Sequence, residues 1–267
     1  MTHRLNGIRA KIQRADETIR QLDVEMAAFE STAPHEVVRE FQKKGLEYCF
    51  IVKGEPAVPP RLAVLTGEVI HQLRSSLDHL ITALVLENGG TPTREHRFPV
   101  CLKEQHFTAV CNDGAIEGIS TCAADLVRAQ QPYLCSTPKD HFLGALHKLD
   151  IRDKHLLLVV VAAAARFSGF LKASTDEEMA RQLGIIPGRT ITNFSDFARK
   201  RVTKEGARVF TVTLEKPDPT FTAEGDVVIE VAFDKVGFVE LIPVRDTLAG
   251  MFSATNQLIG RFVGEFE

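Results

Sequence analysis

Nothing in this sequence is apolar for long enough to cross a bilayer. Its most apolar run, LLLVVVAAAA at 156–165, falls well short of the roughly 20 residues a membrane helix needs and reads as a buried strand or short helix. The opening MTHRLNGIRAKIQRADE has no stretch resembling the apolar core of a signal peptide, so a cytoplasmic setting with no membrane partner is expected. An excess of one charge sign is missing too. The 32 Lys and Arg against 35 Asp and Glu leave a formal charge of −3, so any nucleic-acid contact must come from a local cluster of cations. There is no CxxC. The five cysteines, Cys49, Cys101, Cys111, Cys122 and Cys135, are odd in number and widely spaced, which suggests neither a zinc knuckle nor a redox motif. Without a secretory signal, buried reduced thiols are expected. HExxH and comparably specific ligand spacings are absent, so no metal and no cofactor is expected.

What is present is the composition of a globular chain. At 267 residues, 44% hydrophobic and 25% charged, it is long enough to bury a core as one large domain or two small ones. The first thirty residues carry the clearest pattern. Leu5, Ile8, Ile12, Ala15, Ile19, Leu22, Met26 and Phe29 alternate spacings of three and four, a heptad seam on a helix of about eight turns. Its partner is either another helix of the chain or a second copy, which makes a homodimer through the long helices an open alternative. A second helix is expected over 61–87. It has Leu62, Leu65, Val69, Leu73, Leu77, Leu80 and Leu84 on one stripe and ends at Asn88-Gly89-Gly90. Similar lengths suggest an antiparallel pair.

Between the helices, VVREFQ (37–42) and LEYCFIVKG (46–54) read as a hairpin closed at Gly45. Residues 91–112 read as irregular, with short helices over 114–130 and 139–150. The run at 155–165 is ambiguous and leans to strand. Pro187-Gly188 marks a turn, RVFTVTLEK (208–216) and DVVIEVAFD (226–234) alternate as strands, and Leu248, Met251, Phe252, Leu258, Ile259 and Phe262 mark a last amphipathic helix. No internal repeat is visible. The reading is a single α+β domain over 1–267: a long antiparallel helix pair packed with an antiparallel β-sheet and a C-terminal helix. The helical part covers 1–30 and 61–150, the strand-rich part 155–242 and the last helix 244–264.

Two stretches carry chemistry. On the second helix His71, Arg74, Asp78 and Thr82 fall on neighbouring azimuths, and Arg74 and Asp78 form an i,i+4 pair. His79 lies about 140° round the axis from Arg74. The second stretch, LHKLDIRDKHLLL at 146–158, packs His147, Lys148, Asp150, Arg152, Asp153, Lys154 and His155 ahead of the apolar run, with His147 and Asp150 one helical turn apart. A metal site assembled from these residues and His71, Asp78 or His79 can be drawn, but Arg74, Arg152 and Lys154 would repel a cation there.

Arg74-Ser75-Ser76-Leu77-Asp78-His79 resembles the Arg-x4-6-His motif of the HEPN superfamily, although Ser75 stands where the commonest version has Asn, Asp or His. The resemblance covers the motif and the two long helices, less than a third of the chain. It implies a metal-independent endoribonuclease or nucleotide-binding domain that joins two copies into one active site on RNA. Arg74 and His79 would then be catalytic. His79 would move the proton of a ribose 2′-OH or of the leaving 5′-oxygen, and Arg74 would grip the phosphoryl oxygens, leaving a 2′,3′-cyclic phosphate. His71, Asp78, Asp153, Lys154 and His155 would support them, Asp78 by orienting and Lys154 and His155 by contacting phosphate. The pairing of LRSSLDHL with the downstream DKH also looks like a bacterial protein family, which carries no function to this chain.

A second reading needs no chemistry. Buried Arg, Asp and His groups can satisfy one another as a structural network in a non-enzymatic interaction protein. The two readings differ in one visible respect. Catalysis needs Arg74 and His79 open to one cleft, whereas architecture needs Arg74 buried and paired with Asp78 or Asp153. A basic stretch at 199–208, RKRVTKEGAR, is the one local patch that could follow a nucleic-acid backbone; its plain alternative is a solvated loop.

Overall fold

The computed structural model describes residues 4–42, 46–156, 158, 160–172, 191–194, 199–215, 222–236 and 239–266. The chain forms two compact units, residues 1–25, 59–159 and 235–267 in one and 26–58 and 160–234 in the other. Six α-helices occur among the described residues: α1 (Asn6–Thr32), α2 (Pro60–Glu87), α3 (Glu104–Asn112), α4 (Thr121–Ala129), α5 (Phe142–His155) and α6 (Val244–Gly260). The fold class is α+β, and none of these helices is long and apolar enough to cross a membrane.

In the helical unit α1 and α2 run antiparallel. Ion pairs fix the direction, with Arg4 on Glu87 (2.9 Å), Arg14 on Glu68 (2.6 Å) and Glu25 on Arg61 (2.8 Å). The packed line of α1 is Ile8, Ala15, Thr18 and Leu22, all buried. Leu5, Ile12 and Ile19 of the expected seam are only half-buried, so the contact face is turned by roughly 30° from the heptad reading, well under one residue. Pro60 starts α2 at a position where its missing N–H costs nothing, and Gly89, at φ +77°, turns the chain at its end. Every leucine of the α2 stripe is buried, and so are Thr66, Gly67, Ile70, Arg74 and Ser76. The helix is therefore enclosed over most of its circumference, with α5 and α6 packed on it.

The irregular stretch expected at 91–112 contains α3. That helix is nine residues long and buries only Phe107, too little apolar surface to show a period. The helices expected over 114–130 and 139–150 are α4 and α5, and α5 continues to His155. Arg152, Lys154 and His155 occupy its last turn, where cations favour the exposed carbonyl end. The ambiguous run at 155–165 becomes strand from Val160.

The strands form two sheets rather than one. They are β1 (Glu36–Gln42), β2 (Glu47–Lys53), β3 (Val160–Lys172), β4 (Ile191–Phe194), β5 (Lys200–Arg201), β6 (Ala207–Leu214), β7 (Thr222–Val236) and β8 (Val239–Pro243). The orders are β1-β2-β6-β4 and β5-β3-β7-β8, and the pairs β1–β2, β2–β6, β4–β6, β3–β5 and β3–β7 are antiparallel. The expected hairpin is β1–β2, with Glu36 opposite Lys53. The two alternating strands β6 and β7, though consecutive in sequence, belong to different sheets. Phe50, Phe210, Val212, Ala162, Ala164, Val227 and Ile229 share one core, in which the alanines of β3 leave room for the phenylalanines of the other sheet. The turns expected at Gly45 and at Pro187-Gly188 lie outside the described residues.

Candidate functional site

The two stretches singled out in the sequence meet. Helix α5 lies antiparallel to α2, with Asp153 against the backbone of Gly67 and His71 Nδ1 3.3 Å from Asp150 Oδ1. One turn further on, the stepping brings Arg74 to His147, and the two interact electrostatically. His71, Arg74, Asp78, His147, Asp150, Asp153 and Lys154 thus form one polar seam between the two helices.

Arg74 is the most enclosed cation of the seam, 6% exposed. Its Nη1 donates to Asp78 Oδ1 at 2.7 Å and its Nη2 donates to the Phe98 carbonyl at 2.8 Å. The same Asp78 oxygen accepts from the Phe98 N–H at 2.8 Å. The pair therefore closes a ring of hydrogen bonds on one peptide residue and pins the 98 segment to α2. Phe98 itself is fully buried. No sequence signal marked it, because its backbone rather than its side chain makes the contacts.

Asp150 is the buried anion, 2% exposed. Its Oδ2 accepts from Lys154 Nζ at 2.6 Å while Oδ1 meets His71, so Lys154 spends its ammonium within α5. Beside them His147 is half-buried, and its Nδ1 is buried with no hydrogen-bond partner; Arg152 Nε is buried in the same way. Burial lowers the His147 pKa, and the Arg74 and Lys154 charges lower it further against the opposing pull of Asp150 and Asp78. Burial and the Asp150 charge raise the Asp153 carboxyl, with His71 acting the other way.

The close approach at Gly67 is what lets Asp153 in, since a Cβ there would overlap the carboxylate. Gly67→Ala is expected to lower stability by about 1 kcal/mol, measured by urea unfolding. Overpacking of about 1–3 kcal/mol outweighs a helix-propensity gain of about 1 kcal/mol. A net gain in the variant contradicts this packing.

His79 faces a different neighbour. It is exposed, and its ring lies on α1, with Nδ1 3.3 Å from where a Gly7 Cβ would stand. Partial burial there and the Lys11 charge lower its pKa, and Asp78 opposes them. The structure thus brings His71, Asp78, Asp153 and Lys154 to Arg74's side of α2 and leaves His79 against α1. His155 is exposed at the end of α5. Of the supporting residues, His71 and Lys154 are held by Asp150, a residue the motif did not single out. Its one-turn spacing from His147 was the available signal.

Elsewhere, three cations of the basic stretch at 199–208 are paired within the strand-rich unit. Arg199 meets Glu230 (3.3 Å), Arg201 meets Asp234 (3.4 Å) and Lys204 meets Glu55. All five cysteines are free; Cys49 and Cys101 are buried as expected, but Cys122 and Cys135 are exposed. Among the described residues no three His, Cys, Asp or Glu side chains are grouped to hold a metal ion. Compared with protein-family models, with curated proteins and with solved structures, the chain matches none of them.

Proposed function

We propose that this chain is a non-enzymatic interaction protein and that its Arg–Asp–His cluster is architectural, tying α2 to α5 and to the 98 segment. One observation carries the reading. The Arg74 guanidinium is 6% exposed and already engaged by Asp78 and the Phe98 carbonyl. A phosphate could reach it only by displacing Asp78 from a largely desolvated pair, and breaking such a pair is costly. The pairing of Arg199, Arg201 and Lys204 with carboxylates of their own unit supports the same view, since it partly neutralises the charge a nucleic-acid backbone would meet. The interaction surface this reading points to is α1, where Leu5, Ile12 and Ile19 stay half-buried at the spacing a second long helix would meet.

The ribonuclease reading keeps one supporting observation. His79 is exposed and its lowered pKa favours the neutral ring, which can accept a proton near pH 7. Incubating the purified protein with mixed RNA, with and without chelator, and analysing the 3′ ends separates the two. Intact RNA is expected. Chelator-resistant cleavage leaving 2′,3′-cyclic phosphates, abolished in His79→Ala, would establish the ribonuclease instead.

A further inference from the structure

We propose that the N-terminal half of α5 is an acid-released latch, held at neutral pH by the unprotonated rings of His141 and His147 and let go when both take up protons. The two histidines hold that half at separate points. His141 is the N-cap of α5, and its Nδ1 accepts the Leu143 N–H at 3.3 Å. A protonated ring has no lone pair at Nδ1 to accept with, and its positive charge is unfavourable at the N-terminal end of a helix. His147, two turns on, faces the buried guanidinium of Arg74. A proton there sets a second cation beside one that has a single carboxylate, Asp78, 2.7 Å from its Nη1.

The charged groups acting on His147 are Arg74 and Asp78 from α2 and Asp150 and Lys154 from α5 itself; α6 and the turn at 138–140, which also pack on α5, add none. His141 has Lys139 and Asp140 as its charged chain neighbours, and burial alone accounts for its lowered pKa. Asp150 is already fully engaged, by Lys154 and His71. The last turns of α5 keep a separate tie to α2 through the packing of Asp153 on Gly67, so acid loosens the first half of α5 only. The sign follows. Both rings sit below the ordinary value of 6.5 when packed, so the released form binds protons first as the pH falls through that value. The latch is closed above about 6.5 and weakens below it, until the packed rings also titrate.

The test is amide hydrogen exchange on the full chain at pH 7.5 and 5.5, corrected for intrinsic rates, comparing 143–149 with α2. Protection of 143–149 is expected to fall about tenfold or more, up to tenfold per pH unit for each proton taken up on release, while α2 holds. In the His141→Asn/His147→Gln double variant, which keeps an N-cap acceptor but no titrating ring, the response is flat. In the wild type, protection begins to fall near the ordinary histidine value and levels off where the two packed rings, followed by NMR, titrate, which checks the latch without any variant. Unchanged protection in the wild type, equal loss in α2, or a pH response surviving in the double variant overturns it. The latch uses the same seam as the architectural reading but fails separately from it: RNA cleavage by the wild type would end that reading and leave the exchange result standing.

Discussion

Asp78→Ala is expected to destabilise the protein by about 3 kcal/mol, the low end of what breaking a buried ion pair costs. The substitution leaves the Arg74 guanidinium enclosed with only the Phe98 carbonyl to receive its protons, and it strips the Phe98 N–H of its acceptor. The low end applies because the Asp78 side chain is 37% exposed, so water reaches the pair from one side and part of the lost interaction is recovered. Asp78→Asn separates the charge from the hydrogen bonds. Its amide oxygen can still accept from both donors, so the expected cost is about 1–2 kcal/mol, that of weakened bonds rather than an orphaned cation. Chemical denaturation of the two variants checks the order. An alanine variant no worse than the asparagine one would mean that Arg74 does not depend on this partner.

Phe50→Ala is expected to cost about 3–5 kcal/mol. The ring is fully buried and stacked on Phe210, with centroids 4.1 Å apart and planes 7° from parallel. Its removal opens a cavity between two sheets that cannot close up without sliding paired strands out of register. Of the total, the stacked contact itself accounts for about 0.5–1.5 kcal/mol. Phe50→Leu, which refills much of the space, should recover most of the loss. Urea unfolding reads both, and an alanine variant within about 1 kcal/mol of wild type would mean the two sheets do not share this core.

Much of the fold was legible because its strongest signals are local. The leucine stripe of α2, its Pro60 start and its Asn88-Gly89-Gly90 stop each act within a few residues, and the β1–β2 hairpin needs only two β-rich runs around a short connection. What the sequence concealed is set by packing. Nothing in RVFTVTLEK or DVVIEVAFD tells which strand each will pair with, and they end in different sheets. Helix α3 buries a single phenylalanine and therefore shows no period.

The candidate site divides along the same line. The His71–Asp150 contact joins 71–79 to 147–155, a meeting that the composition of the two stretches allows and only packing decides. The partner that fixes Arg74 was half visible. Asp78, four residues along the same helix, could be named from spacing; the Phe98 backbone could not, because any residue supplies the same N–H and C=O. His79 drew notice for its place in a motif, but its surroundings depend on Gly7 of another helix, seventy-odd residues away in sequence.

The most direct measurement reads the Arg74 guanidinium itself. In an NMR spectrum of arginine side-chain nitrogens, a guanidinium locked between a carboxylate and a carbonyl rotates slowly and gives separate, exchange-protected Nη signals, identified by their loss in Arg74→Lys. Those signals are expected to be present in the free protein and unmoved by added RNA oligonucleotide or inorganic phosphate. A freely rotating Arg74, or one whose signals shift and saturate as RNA is added, would contradict the architectural account.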